Sequence, residues 1–449
     1  MGQDVSNITA GGLAFTICLG VLLLVLPRRY ALVPLMIGGC YMTLGQVLMI
    51  GPLHFTIFRI LIFFGWVRIS LRNEIAGIKF NTIDKILIAW VITSSALYII
   101  LRGGASEALI YRLGTSYNTI GIYFLIRALV WDFDDIVISV KMLGLIILPL
   151  AVLFIVEWTT GKNLFSVFGG VPEFSGIREG RLRCQGPFRN SILAGTFGAT
   201  ALPLFVGLWT HSSRDRLLAG GAILAATIIV ITSTSSGPLL AYLTSLVGLM
   251  LWAFRTRMRI IRWGMVLSLL TLHIVMTAPV WFLIARIGDL IGGTGWHRSA
   301  LIDAAIQHFD EWWLLGTTYT AHWMPTGIAI DPNNTDVTNQ FISEGINGGL
   351  LSMSLFICLI VLCFKTTGNA VGSVSQFSHS ERFMIWSVGA ALVGHVASFF
   401  SVSYFDQIII FWYLIIAMIA SILELSPSVW TIFVDDQEET IPGADLKNI

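Results

Sequence analysis

The sequence predicts an all-α, polytopic membrane protein with about 12–13 transmembrane helices. Three observations predict it. Of the 449 residues, 55% are hydrophobic and only 12% are charged, where soluble domains carry roughly 25% charged residues. The mean hydropathy is +0.80. Apolar runs long enough to cross a bilayer recur from end to end. These features exclude a soluble enzyme and a disordered chain. A formal charge of +1 gives no global field to attract a polyanion, so a nucleic-acid binder of the basic-patch kind is excluded too. Residues 1–424 read as a single integral-membrane domain, with too little chain left for a second soluble one. Residues 425–449, with Asp435, Asp436, Glu438 and Glu439, read as an acidic, disordered cytoplasmic tail.

The spans are expected near 10–26, 31–50, 53–67, 84–101, 115–131, 142–158, 190–209, 216–232, 237–254, 263–283, 347–364, 383–400 and 405–424. The third is short and contains Arg59, a costly residue at mid-membrane unless it snorkels or faces protein. Without it the count is twelve and the N-terminus changes side. Lys and Arg then set the orientation. They recur in alternate connections: Arg28 and Arg29; Arg68, Arg72, Lys79 and Lys85; Arg127 and Lys141; Arg214 and Arg216; Arg255, Arg257, Arg259 and Arg262; Lys365 and Arg382. The short connections 51–54, 233–236 and 401–404 carry none. The basic connections are therefore placed in the cytoplasm. Of the five cysteines, only Cys184 lies in a polar segment, so no disulfide is expected. The N-terminal segment, whose only charged side chain is Asp4, lacks the basic region of a cleavable signal.

Loops 159–189 and 284–346 both fall outside. The first carries Lys162, Arg178, Arg181, Arg183 and Arg189, against the usual charge bias. Long loops can translocate whatever their charge, but the forked guanidinium of Arg is also suited to phosphate oxygens. General binding of lipid phosphates is the plainer use of such a cluster. Gly186 and Pro187 form a turn before the next helix. The second loop opens with Gly295-Trp-His-Arg298, followed by apolar residues at helical spacing through Trp312 and Trp313. This predicts an amphipathic helix at the outer interface. Arg298 in its first turn opposes the helix dipole unless an anion binds there. Within 314–340, His322, Asp331 and Asp336 are the groups able to act as general bases. Glu344 and Asn347 lie at the outer rim. His395 is ionisable inside a membrane helix, where packing and function are both open readings.

No Walker A, His-Glu-x-x-His, Gly-x-Ser-x-Gly or Cys/His metal spacing is present. No internal repeat of the transporter kind is visible. The outer-loop acids form no Asp-x-Asp pair, so no metal site is expected for the chemistry. The one metal alternative is a structural Ca²⁺ on Asp331 and Asp336.

Arg183-x-x-Gly186-x-Phe188-x-Asn190 resembles the Arg–Gly–Phe–Asn motif at the start of a central span in O-antigen ligases and O-antigen polymerases. Ser233-Thr-Ser-Ser236-Gly resembles their short SRG turn. Arg298-x-x-Leu301 and Trp313-x-x-Gly316 resemble their loop helix and the segment after it. Asn339-x-Phe341, Glu344-Gly345 and Gly348-Gly-Leu resemble the end of their long external loop. The likeness covers roughly 175–365, and its specificity lies in the order of the motifs.

The resemblance implies a GT-C-type membrane glycosyltransferase in the bacterial cytoplasmic (inner) membrane, acting on its extracytoplasmic side. It implies an undecaprenyl-diphosphate-linked glycan donor, and a glycan or lipid-linked acceptor. Two loop arginines, Arg183 and Arg298 here, hold the diphosphate, and no cofactor is involved. Arg181, Arg189, Asn190, Asn339 and Glu344 are the expected substrate-binding residues. Where the ligases carry a His-Asn pair, this chain has Thr338-Asn339, which leaves the base open among His322, Asp336 and Glu344. Polymerisation of polysaccharide repeats is the expected reaction. The alternatives are ligation to a lipid or protein acceptor and, in another class, transport of lipid-linked sugars. The expected partners are the donor, the acceptor and membrane lipids, with no nucleic acid.

Overall fold

The computed structural model describes residues 6–50, 53–291, 295–324 and 329–425. It is a polytopic helical membrane protein. Its helices are α1 (Ala10–Val25), α2 (Val33–Tyr41), α3 (Ile57–Arg72), α4 (Thr82–Leu101), α5 (Ser106–Leu129), α6 (Phe133–Thr160), α7 (Ser191–His211), α8 (Arg216–Thr232), α9 (Ser236–Met250) and α10 (Met258–Val275). After α11 (Leu283–Ile291), α12 (Gly295–Gln307) and α13 (Phe309–Trp312) come α14 (Gln340–Gly372), α15 (His379–Phe399) and α16 (Ile408–Leu425). Among the described residues, eight stretches are long and apolar enough to cross a membrane, one of them running continuously through Ser236–Val275, with α1 a shorter apolar helix. The expected 12–13 is thus larger than length and hydropathy alone support.

Two expected spans are built differently. The run 31–50 is not one helix: α2 stops at Tyr41, and Gln46–Ile50 forms strand β2. Strand β1 (Ser6–Asn7) pairs with β2 in parallel, and β3 (Leu53–Thr56) pairs with it antiparallel. The cause is polar. Gln46 is buried and binds Thr43 through its amide nitrogen and the Thr9 backbone through its amide oxygen, which an uninterrupted membrane helix would not provide. The third run is therefore a strand followed by α3. Arg59 sits in the first turn of α3 rather than at mid-membrane, bonded to the His54 carbonyl and to Asn118.

Several arginines counted as orientation signals are structural. Arg68 is fully buried, with two 2.8 Å bonds to Glu74 and further bonds to the carbonyls of Leu23 and Leu26. Arg127 is buried within α5 between Asp84 and Glu424. Arg28 lies 2.5 Å from Asp135. Removing one partner of such a pair leaves an uncompensated buried charge. These contacts, with Lys141–Asp215 at 2.7 Å, gather the basic connections at one end of the bundle. One apolar core runs from Leu19 to Leu423, with α7 and α16 buried along nearly their whole length.

The long second loop has its own small core of Leu301, Ala304, Ala305, Trp312, Trp323, Ile342 and Ile346. The expected interfacial helix is α12, preceded by the unexpected α11. Its inward face is not simply apolar, because His297, Arg298 and Ser299 are buried. Trp312 is not an interface anchor: it is buried and donates to the Ala305 carbonyl at 2.8 Å. The acidic tail beyond Leu425 lies outside the described residues.

Candidate functional site

Loop 159–189 is built on Glu157, near the end of α6. Its buried carboxylate accepts hydrogen bonds from Ser175 Oγ (2.7 Å), Gln185 N (2.9 Å) and Gly186 N (2.8 Å). Gly186 has φ +54°, and a Cβ there would lie 2.5 Å from the Phe154 ring, so this tight turn requires glycine. Strands β4 (Gly176–Arg178) and β5 (Arg181–Arg183) form a hairpin. The segment after β5 docks on the turn between α8 and α9. Cys184 N donates to Thr232 O (3.1 Å), and Thr234 Oγ1 donates to Leu182 O (2.7 Å).

That docking brings Arg183 Nη2 to 2.8 Å from Ser235 Oγ, while its Nε is buried with no partner. Arg298 arrives from α12 against the same turn. Its Nη2 would lie 3.3 Å from a Cβ placed on Gly237, which puts the guanidinium at the N-terminus of α9. Arg178 is the third cation. Burial first, then repulsion from Arg178 and Arg183, lowers Arg298 to about 10. Burial and Arg178 lower Arg183 as well. Arg298 stays protonated at neutral pH.

Among the described residues, neither Arg183 nor Arg298 makes a salt bridge, whereas Arg28, Arg68 and Arg127 each do. Two desolvated cations at the positive end of a helix form a locus that an anion stabilises.

The remaining expected residues fall into three groups. Arg181 is exposed on the hairpin, and Arg189 acts on Asp406, whose carboxyl burial raises and Arg189 pulls back down. Asn190 and Asn339 each give their side-chain oxygen to a helix start, accepting from Leu193 N (2.9 Å) and Ile342 N (3.2 Å). Such caps contribute about 1 kcal/mol, so these oxygens are already engaged. Glu344 lies in a different place, half-buried in a polar cavity of about 180 Å³ between α4, α5, α14 and α16. It accepts from Trp90 Nε1 (3.1 Å), Gln340 Nε2 (2.8 Å) and Ser352 Oγ (3.3 Å). Arg112 lines the cavity and lies over the Tyr98 ring at 3.9 Å, with a buried, unpartnered Nε. Ser95, Ser116, Asn347 and Tyr404 complete a wall of hydroxyls, amides and aromatic rings.

The segment 336–340 joins the two regions. The Asp336 carbonyl accepts from His297 Nε2 (3.0 Å), next in sequence to Arg298, and Gln340 lines the cavity. Asp336 is half-buried; burial raises its carboxyl and His297 opposes the rise. His322 is elsewhere, 2.9 Å from Glu311 Oε1. With His308, these residues bring three ligand atoms within 4.8 Å of one another, an arrangement able to hold a metal ion. The side chain of Asp331, a member of the Ca²⁺ alternative, lies outside the described residues. His395 is buried and bonded to Tyr404 Oη at 2.7 Å.

No family model matches the chain, and no curated protein matches it.

Sequence reading missed Glu157 as an organiser, Arg112, Ser235 and the His308–Glu311–His322 cluster. Only Glu157 carried a signal, an acid at the end of an apolar run. Ser235 lay within a quoted motif but gained meaning only when the turn met Arg183.

Proposed function

We propose that this protein is a glycosyltransferase that uses a polyprenyl-diphosphate-linked glycan on the outer face of the bacterial cytoplasmic membrane to polymerise polysaccharide repeats. The observation that carries the reading is the pair Arg183, half-buried, and Arg298, buried, at the N-terminus of α9, neither with a salt bridge among the described residues. The donor's diphosphate docks there, and its glycan extends toward the segment 336–340. In this reading the end bearing loops 159–189 and 284–346 faces outward.

An acceptor hydroxyl oxygen attacks the anomeric carbon. The bond from that carbon to the phosphate oxygen breaks, and the diphosphate leaves with the electron pair. The arginines and the helix dipole stabilise the charge that develops on it. Asp336 is positioned to take the hydroxyl proton, because its raised carboxyl pKa makes it a better base than an exposed aspartate. The cavity around Glu344 and Arg112, with hydroxyls, amides and rings, is of the right character for a sugar acceptor. Arginines without a salt bridge among the described residues, on loops 159–189 and 284–346 rather than along a transmembrane path, favour an enzyme over a transporter.

The test is the lipid-linked glycan pool of a deletion strain. Loss of a polymerase leaves acceptors capped with single repeats. Long chains held on the carrier would instead indicate a ligase. Single repeats trapped on the cytoplasmic leaflet would indicate a flippase and overturn the transferase reading.

A further inference from the structure

We propose that His308, Glu311 and His322 form a zinc site that pins the long second loop. The site is separate from the arginine cluster and does not depend on the transferase reading. His308 is the residue just before α13, Glu311 lies within α13, and His322 lies in a helical turn over Ala321–Trp323. His308 Nδ1 and His322 Nε2 both approach the same oxygen, Glu311 Oε1, each at 2.9 Å. The ligand atoms of all three residues lie within 4.8 Å of one another. Two ligands on a tetrahedral zinc, with bonds of about 2.0–2.1 Å, stand about 3.4 Å apart. The two imidazole–carboxylate pairs need to open by about half an ångström, and the two imidazole nitrogens, within 4.8 Å of each other, to close by no more than about 1.4 Å.

Two imidazoles and a carboxylate form a donor set that zinc favours, with a fourth position left for water. Each neutral imidazole would carry its proton on the other ring nitrogen, leaving His308 Nδ1 and His322 Nε2 as donors to the metal.

The surroundings hold the ligands in place. Trp323 Nε1 donates to the second carboxylate oxygen, Glu311 Oε2, at 2.9 Å. The His308 ring stacks on Trp323 with an interplanar angle of 4°, and the His322 ring stacks on Tyr319 at 10°. Such outer contacts orient metal ligands and tune their basicity. Glu311 and His322 are exposed enough for an ion to enter from solvent. Zinc here would tie α13 to the 321–323 turn.

The experiment uses the full chain, purified in detergent, stripped with chelator, then titrated with Zn²⁺ and with Co²⁺ as a spectroscopic substitute. One ion per chain is expected, with the visible absorption of a four-coordinate Co²⁺ site and a higher unfolding temperature on Zn²⁺ addition. His308→Ala and His322→Ala should each abolish the Co²⁺ spectrum. Trp323→Phe keeps all three ligands and should weaken binding by about 10–100-fold. It guards against a ligand variant that fails to fold. Absence of stoichiometric binding to the wild-type chain would overturn the site and leave a cluster held by protons. A Co²⁺ spectrum that survives in both histidine variants would also overturn it.

Discussion

At the scale of single residues, what separates Arg183 and Arg298 from the protein's structural arginines is the absence of a carboxylate. Arg68 and Arg127 are more deeply buried, and each has acids in contact. Arg183→Ala and Arg298→Ala should therefore each abolish chain formation while the protein still inserts, as read by glycan ladders from cells expressing equal amounts of each variant. Lysine should rescue only in part, because it keeps the charge and loses the bidentate fork. Arg214→Ala, at an exposed position between α7 and α8, should be close to neutral. Full activity in either outer-loop alanine variant would remove that arginine from the site. Asp336 gives a prediction in pH. Its carboxyl pKa is raised by burial, and only the deprotonated form accepts a proton. Turnover should thus fall as pH drops through that raised pKa, higher than for an exposed aspartate. Asp336→Asn should lower kcat and flatten the acid limb. An unchanged acid limb in that variant would pass the role of base to another group.

At the scale of elements, the site depends on two devices that make local rules yield to tertiary contacts. One is Glu157, which holds the 175–186 loop through three donors. In Glu157→Gln one acceptor oxygen becomes an NH₂ facing a donor, which should cost about 1–3 kcal/mol, read as a lower unfolding temperature in detergent. Unchanged stability would mean that the loop is held by other contacts. The other device is a break in α14. Gly349 has φ +66°, and a Cβ there would lie 2.3 Å from the Leu314 carbonyl. Leu350 N donates to Trp313 O (2.7 Å) and Thr317 N to Ile346 O (2.9 Å), so the loop threads into the break. The sequence showed Gly348-Gly349 as the lead into a span, and the helical class, most apolar runs and the two arginines were all legible there. The break was not, because it is set by the partner segment 313–317 rather than by the glycines. The β1–β2–β3 sheet was hidden for the same reason: apolar residues alone do not distinguish a strand from a short helix, and the buried Gln46 decides it. The His308–Glu311–His322 cluster was hidden because its ligands follow no familiar metal spacing and meet only when α13 packs on the 321–323 turn.

At the scale of the whole molecule, 27 basic and 26 acidic side chains nearly cancel, but they are not distributed alike. One end pairs its arginines with acids, and the other holds Arg183 half-buried and Arg298 buried, neither with a salt bridge among the described residues. If that second end faces outward, single cysteines at Glu173 and Gln307, both exposed, should react with an impermeant thiol reagent added to intact cells. Protection at both until lysis would reverse the orientation. The same distribution bears on metal in the reaction itself. A divalent ion on the leaving diphosphate would sit beside Arg178, Arg183 and Arg298 and be repelled by them, while the arginines already supply the charge that such an ion provides. The reaction should therefore need no metal at the diphosphate. Chelation of the wild-type protein does not test this cleanly, because it would also strip zinc from the second loop and lower stability. The informative protein is the His308→Ala/His322→Ala double variant, which lacks that site. Its residual turnover, measured with a lipid-linked donor well below its unfolding temperature, should be the same in excess EDTA as in buffer. Turnover that vanishes in EDTA and returns with Mg²⁺ or Mn²⁺ would place a metal at the diphosphate and show that the arginines do not suffice.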